Sequence, residues 1–373
     1  MESAGTTPAV AVHAPDLAEL AAQRGPFLTV YLATEGEVEN AAQRTELRWK
    51  QVRDDLAEAG ADDHLLAAVD ALVPDAHHHG RCLCVVANTS GALHVEHNDE
   101  LPKRDLGRWA PLPSLVPLLE WRQLGVPHVV VLIDRQGADL FAFRREGPDL
   151  RAESGGGADP LHKAEAGGWS QKRYQQRAEN TWEKNADAVA ADLAKLVDRI
   201  NARVVAVAGD VRAVQLLREA LRRDVADMLV EVEGGRAVDG SVDAVSDDVV
   251  RAVATVAARD TVALLEKFRE EIGQGDRASD GVARTVEALS RAQVEVLLVA
   301  DDPDDERTVW FGPEPTMLGL AADEVAGMGA NPVQQGRLAD VLVRAALGTG
   351  AAVRVVPGHG GPREGVGAIL RWS

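Results

Sequence analysis

Trp182, Ala186, Val189, Leu193, Leu196 and Ile200 recur at spacings of four, three, four, three and four, the interval that gathers apolar side chains on one face of an α-helix. A stripe that long must be buried against another layer. Apolar runs of strand length stand on either side of it, His128 to Ile133 before and Val204 to Ala208 after. A long helix set between such strands points to a layered α/β fold.

The same alternation extends through all 373 residues, and the length argues for more than one domain. Three consecutive α/β domains are expected, over residues 1–125, 126–272 and 273–373. In the first, Phe27 to Leu32 reads as a strand, Ala41 to Leu56 and Leu65 to Leu72 as helices, and Cys82 to Ala87 with Ala92 to Val95 as a strand pair. The passage from Pro102 to Pro117 is expected to be a connection. In the second, Ala138 to Arg144 is the return strand of a hairpin, and a short strand near Leu150 to Glu153 leads to Gly155-Gly156-Gly157. Helices at Val211 to Leu221 and Asp247 to Ile272 and a strand at Met228 to Val232 complete it. The last is expected to be a compact α/β/α unit, with strands at Val294 to Ala300, Thr308 to Phe311 and Ala352 to Val356 and helices at Val282 to Arg291 and Leu338 to Leu347.

An apolar fraction of 46% supplies the cores, and only 4% of residues are aromatic, so aliphatic side chains must fill them. A net charge of -19 excludes a protein that coats nucleic acid indiscriminately, because that affinity is largely electrostatic. Any RNA contact has to be local. No apolar run reaches the ~20 residues that cross a bilayer, and no membrane or DNA partner is expected; the compartment expected is the cytoplasm. Cys82 and Cys84, the only cysteines, are expected to point apart on their strand, which argues against a disulfide or metal pair.

Just ahead of the helical stripe lies Gly167-Gly168-Trp169-Ser170-Gln171-Lys172-Arg173-Tyr174-Gln175-Gln176-Arg177, within a glycine-rich loop expected over 154–177. Adjacent glycines let backbone N–H groups approach a ligand closely. Lys172, Arg173 and Arg177 could meet phosphates, Trp169 and Tyr174 could stack on bases, and Ser170 lies among them. Gln171 does not titrate near neutral pH, so its use would be to orient a water or hydroxyl. The alternative is an ordinary connector before a charged helical turn.

These residues resemble the Gly-Gly-Gln loop and basic helix start of the archaeo-eukaryotic class 1 peptide chain release factors and their relative Pelota. The chain is similar to the bacterial proteins sharing their middle and last domains, which makes the middle domain release-factor-like. The ending Gly365-Val366-Gly367-Ala368-Ile369-Leu370-Arg371-Trp372 and the stretch from Val282 to Asp302 carry the likeness into the last domain. Trp169 and Ser170 separate the glycines from Gln171, a spacing nearer to the Gly-Ser-x-x-Gln of the ribosome-rescue branch. What the resemblance implies is a translation factor that binds the ribosomal A site and presents Gly167, Gly168 and Gln171 to peptidyl-tRNA for release or rescue, without a cofactor. Its last domain would contact the ribosomal stalk base or a translational GTPase. A Balon-like hibernation factor without hydrolysis is the alternative, and a tRNA-end nuclease a third.

Other motifs point to loops. His77-His78-His79 cannot converge on one tetrahedral metal centre. Asp301, Asp302, Asp304 and Asp305 around Pro303 read as an exposed turn, and Gly358-His359-Gly360-Gly361 as a plain loop.

Overall fold

The structure, a computed structural model, describes residues 12–34, 40–134, 137–144, 150–155, 170–234, 245–275 and 277–372. The chain divides into two compact units, one made of residues 1–123 and 261–373 and the other of residues 124–260. The first and last segments, expected as separate domains, thus come together in one unit.

The first segment holds helix α1 (Pro15–Ala21), strand β1 (Phe27–Ala33), helices α2 (Ala41–Glu58) and α3 (Asp63–Asp70), strands β2 (Cys82–Asn88), β3 (Leu93–Asn98) and β4 (Leu106–Ala110), and helix α4 (Val116–Leu124). Its sheet is antiparallel in the order β3-β2-β1-β4. Strand β4 corrects the reading of residues 102–117 as a connection. Its five residues contain no proline, and prolines at 102, 111, 113 and 117 only bracket an edge strand. Cys82 and Cys84 are corrected too: residues two apart on a strand share a face, and both lie in the same core as free thiols whose pKa burial pushes up.

The middle unit contains β5 (His128–Ile133), β6 (Gly137–Phe143), β7 (Leu150–Gly155), α5 (Ser170–Ile200), β8 (Val204–Gly209), α6 (Val211–Ala220), α7 (Arg223–Ala226) and β9 (Leu229–Glu231). Helix α8 (Ser246–Gln274) runs on from this unit into the last segment. The sheet order is β7-β6-β5-β8-β9, with β5, β8 and β9 parallel and β6 and β7 antiparallel. Alternate residues of β5 bury opposite faces. Val129, Val131 and Ile133 pack with Val189, Leu193 and Ile200 of α5 and Leu217 of α6, whereas Val130 and Leu132 face Val249 of α8. Of the expected stripe on α5, Ala186, Val189, Leu193 and Ile200 are buried, Leu196 is half-buried with Val197 entering the core beside it, and the Trp182 side chain lies outside what the structure describes.

The last segment adds β10 (Ala278–Asp280), α9 (Val282–Ser290), β11 (Val294–Ala300), β12 (Thr308–Phe311), β13 (Leu318–Gly319), α10 (Ala322–Gly327), β14 (Gln334–Arg337), α11 (Leu338–Gly348), β15 (Ala352–Val356) and β16 (Val366–Leu370). Its main sheet has the order β10-β16-β11-β15, and a small sheet the order β13-β12-β14. Phe27 and Tyr31 of β1 share a core with Leu297 and Val299 of β11 and Leu342 of α11, while Leu28, Val30 and Leu32 pack on α2 and α3. Strand β1 is therefore buried on both faces.

Strand β15 would be an open edge, and the first segment covers it. Val12 and Val353 exchange backbone hydrogen bonds at 2.9 and 3.1 Å. Two residues on, the Gln123 side chain imitates a strand: its Nε2 donates to the Val355 oxygen at 3.0 Å and its Oε1 accepts from the Val355 nitrogen at 2.9 Å. Edge strands left bare pair with other chains.

Candidate functional site

Fourteen residues, 156–169, join β7 to α5. Gly167, Gly168 and Trp169 fall among them and lie outside the described residues. The structure shortens the loop expected over 154–177: residues 154 and 155 belong to β7 and the helix begins at Ser170. Ser170, Gln171, Lys172, Arg173, Tyr174 and Arg177 therefore all stand in the first turns of a 31-residue helix.

That position has chemical consequences. The first four N–H groups of an α-helix have no carbonyl partner within it, and its dipole makes this end positive. The first turn of α5 carries no acidic residue, and Lys172, Arg173 and Arg177 add three formal positive charges within eight residues. Anions are favoured at such an end.

The support lies farther along. Ala186 is 5% exposed and Val189 and Leu193 are fully buried. At 1.5 Å per residue, Gln171 stands roughly 22 Å along the helix axis from Ala186. The strand and helix that flank the 156–169 connection are tied directly, because Ser154 Oγ of β7 donates to Asp192 Oδ2 of α5 at 2.7 Å. Lys195 holds the other carboxylate oxygen at 2.9 Å, and these two hydrogen bonds, that from Ser154 first, set the Asp192 pKa below the usual carboxylate value. Sequence reading missed Ser154 and Asp192, since nothing in a serine and an aspartate 38 positions apart announces a contact.

At the carboxyl end of β5 a small recess of about 10 Å³ is lined by residues that include Asp134, Asn185, Ala186 and Leu216. Asp210 closes the neighbouring helix end, its Oδ1 accepting from the Arg212 and Ala213 nitrogens at 3.1 and 3.2 Å. The recess lining includes no Ser, Cys or His that could serve as a nucleophile or neutral-pH base. Among the described residues no group of three or more His, Cys, Asp or Glu could hold a metal ion. His77 to His79 lie in or beside a short 3-10 turn, with the His79 ring against that of His97.

Residues 127–274 match the model of bacterial archaeo-eukaryotic release factor family 2. Over that span, 148 of the 373 residues, the chain is similar to the bacterial archaeo-eukaryotic release factors. The matched span holds β5 to β9 with α5, and so the helix that bears Gln171. The whole chain is 28% identical over 362 residues to an uncharacterized protein of Mycobacterium tuberculosis, found in two strains, covering 95% of each chain. Among solved structures it is similar to the archaeal translation termination factor aRF1, at 16% identity and TM-score 0.26 over 98% of this chain and 100% of that one. It is also similar to Archaeoglobus fulgidus Pelota, at 16% and TM-score 0.36 over 78% and 79%. For S. cerevisiae Dom34, described as a translation termination-like factor interacting with Hbs1, the figures are 11% and 0.37 over 84% and 78%. No described helix is long and apolar enough to cross a membrane.

Proposed function

We infer that this protein enters the ribosomal A site and directs the start of α5, with Gly167, Gly168 and Gln171, at peptidyl-tRNA for peptide release or ribosome rescue. The observation that carries the reading is the placement of Gln171 and three cations in the first turns of a helix whose far half is locked into an α/β core. Phosphates of the tRNA end would meet Lys172, Arg173, Arg177 and the free N–H groups, with Trp169 and Tyr174 available for stacking and Ser170 at the helix start. The Gln171 amide would orient the water that attacks the ester, much as a glutamine orients water in some GTPases. Ribosome, peptidyl-tRNA and a translational GTPase are the partners this reading calls for.

One observation favours occupancy without hydrolysis. Gln171 lies inside a helical turn, three residues beyond Gly168, where a free tip would follow the glycines directly.

The test is peptide release from purified ribosomes carrying labelled peptidyl-tRNA, with sedimentation as the binding control. Release by wild type that falls at least about 100-fold in Gln171→Ala, with binding intact, supports hydrolysis, since one lost positioning group costs about that much. Binding by both and release by neither assigns the chain to hibernation. Shortened tRNA in place of free peptide would make it a nuclease.

A further inference from the structure

The turn over Asp301 to Glu306, expected to be simply exposed, is pinned to a basic ridge of the first segment. Lys103 Nζ lies 2.9 Å from Asp301, Arg104 Nη1 2.6 Å from Asp304, and Arg108 Nη2 3.4 Å from Glu306. Arg104 also donates to the Pro303 carbonyl at 2.6 Å, and Arg337 Nε to the Asp305 carbonyl at 2.8 Å. Three cations within six residues thus meet three carboxylates within six residues. Beneath them is a narrow recess of about 30 Å³, whose lining includes Lys103, Arg104, Arg108, Arg337, Tyr31 and Asp301. Four of its lining side chains are cationic and one is acidic.

The cover is held unevenly. The Asp301 side chain is 5% exposed, whereas those of Asp304 and Glu306 are 83% and 73% exposed. Ion pairs to carboxylates so open to water are worth about 0–1 kcal/mol each, so the outer part of the loop can exchange for another anion at small cost. The Lys103 and Arg104 side chains are 52% and 44% exposed, Lys103 also pairing with Glu120 at 2.9 Å, and that of Arg108 is 17% exposed beside Glu306.

We propose that Lys103, Arg104 and Arg108 form an RNA-phosphate-binding ridge that the chain's own Asp304 and Glu306 cover and that RNA uncovers by displacing them. The carboxylates already at hydrogen-bonding distance show which chemistry the ridge accepts. A chain with a net charge of -19 repels RNA at long range, and a cover of this kind confines RNA contact to a surface that close approach uncovers. The choice of RNA among polyanions rests on the translation-factor reading; the covered ridge does not.

The experiment uses the full chain, without ribosomes, and a fluorescent single-stranded RNA of twelve nucleotides, followed by anisotropy across a salt series. Asp304→Asn with Glu306→Gln should tighten binding about fivefold, the size expected for removing two exposed competing pairs. Arg104→Gln with Arg108→Gln should weaken it about tenfold and reduce the slope of log affinity against log salt by about 1.4, since each phosphate contact to a single strand contributes about 0.7. Equal affinity in all three proteins, or binding by none, overturns the proposal. Because no peptidyl-tRNA is present, either result is independent of whether Gln171 releases peptide.

Discussion

A Cβ placed on Gly209 would stand 1.8 Å from the carbonyl oxygen of Ile133. Gly209 ends β8 at φ +147°, paired with Ile133 at the end of β5, and the next residue, Asp210, caps α6. The two parallel strands can close this tightly only where one lacks a side chain. Gly209→Ala should therefore cost about 4 kcal/mol or more of stability, the range reached when backbone strain and a steric clash coincide. A urea midpoint within error of wild type would contradict that.

Asp340 predicts a pH dependence. Its side chain is 1% exposed, Oδ2 accepts from Ser114 Oγ at 3.0 Å, and Oδ1 has no hydrogen bond and lies 3.6 Å from Arg337 Nη1. Burial raises its pKa from 3.8 to about 6, outweighing the opposite pull of Arg337, Arg108 and Ser114. Between those values the folded chain keeps a proton that the unfolded chain has lost, so this contribution is complete below about pH 4 and is lost as pH rises through 6. The shift is worth about 3 kcal/mol. Unfolding free energies of wild type and Asp340→Asn, measured from pH 4.5 to 7.5, should diverge with wild type losing ground as pH rises. Parallel curves would refute the assignment.

Gln123→Leu leaves the amide and carbonyl of Val355 without the partners they now have. Two buried backbone groups stripped of hydrogen bonds should destabilise the chain by about 3 kcal/mol. The variant should also show concentration-dependent association in light scattering, because the β15 edge is then partly bare. A monomer as stable as wild type would show that Gln123 is dispensable there.

Ser154→Ala removes the hydrogen bond to Asp192 and should cost only about 1 kcal/mol in chemical denaturation. Under the proposed function it should lower peptide release more than ribosome binding, since it loosens the strand and helix that flank the glycines without touching a cation. Unchanged release would confine Ser154 to stability.

Most of the fold could be read locally. The four-three spacing of α5 placed its buried face, and the apolar runs at 128–133, 204–208, 294–300 and 352–356 are all strands, because burial of a layered sheet leaves continuous aliphatic residues. Val197 shares the core with a half-buried Leu196, so the buried face is wider than the spacing alone marks. The junction of first and last segments was not legible: it depends on Tyr31, Ser114 and Asp340, which lie far apart in the chain. The one hint was the run Phe27–Ala33, whose seven buried residues leave no polar face. At the candidate site, the residues that could bind RNA were visible by type. That Gln171 lies within a helix, and that Ser154 reaches Asp192, were not, because both depend on where β7 ends and α5 begins.

Val12 and Gln123, which cover β15, are both made before it, Gln123 by 232 residues relative to Val355. Chains acquire structure from the N-terminus as they emerge. Here the opening segment has to wait, with the apolar face that carries Phe27 and Tyr31 uncovered, until some 230 further residues have been added and α11 and β11 can close over it. The middle unit suffers no such delay, for its sheet, α5 to α7 and its share of α8 all lie within residues 124–260. A message cut short within the last segment would therefore yield a finished α5 joined to an unfinished partner unit, a product exposed to chaperones and proteases.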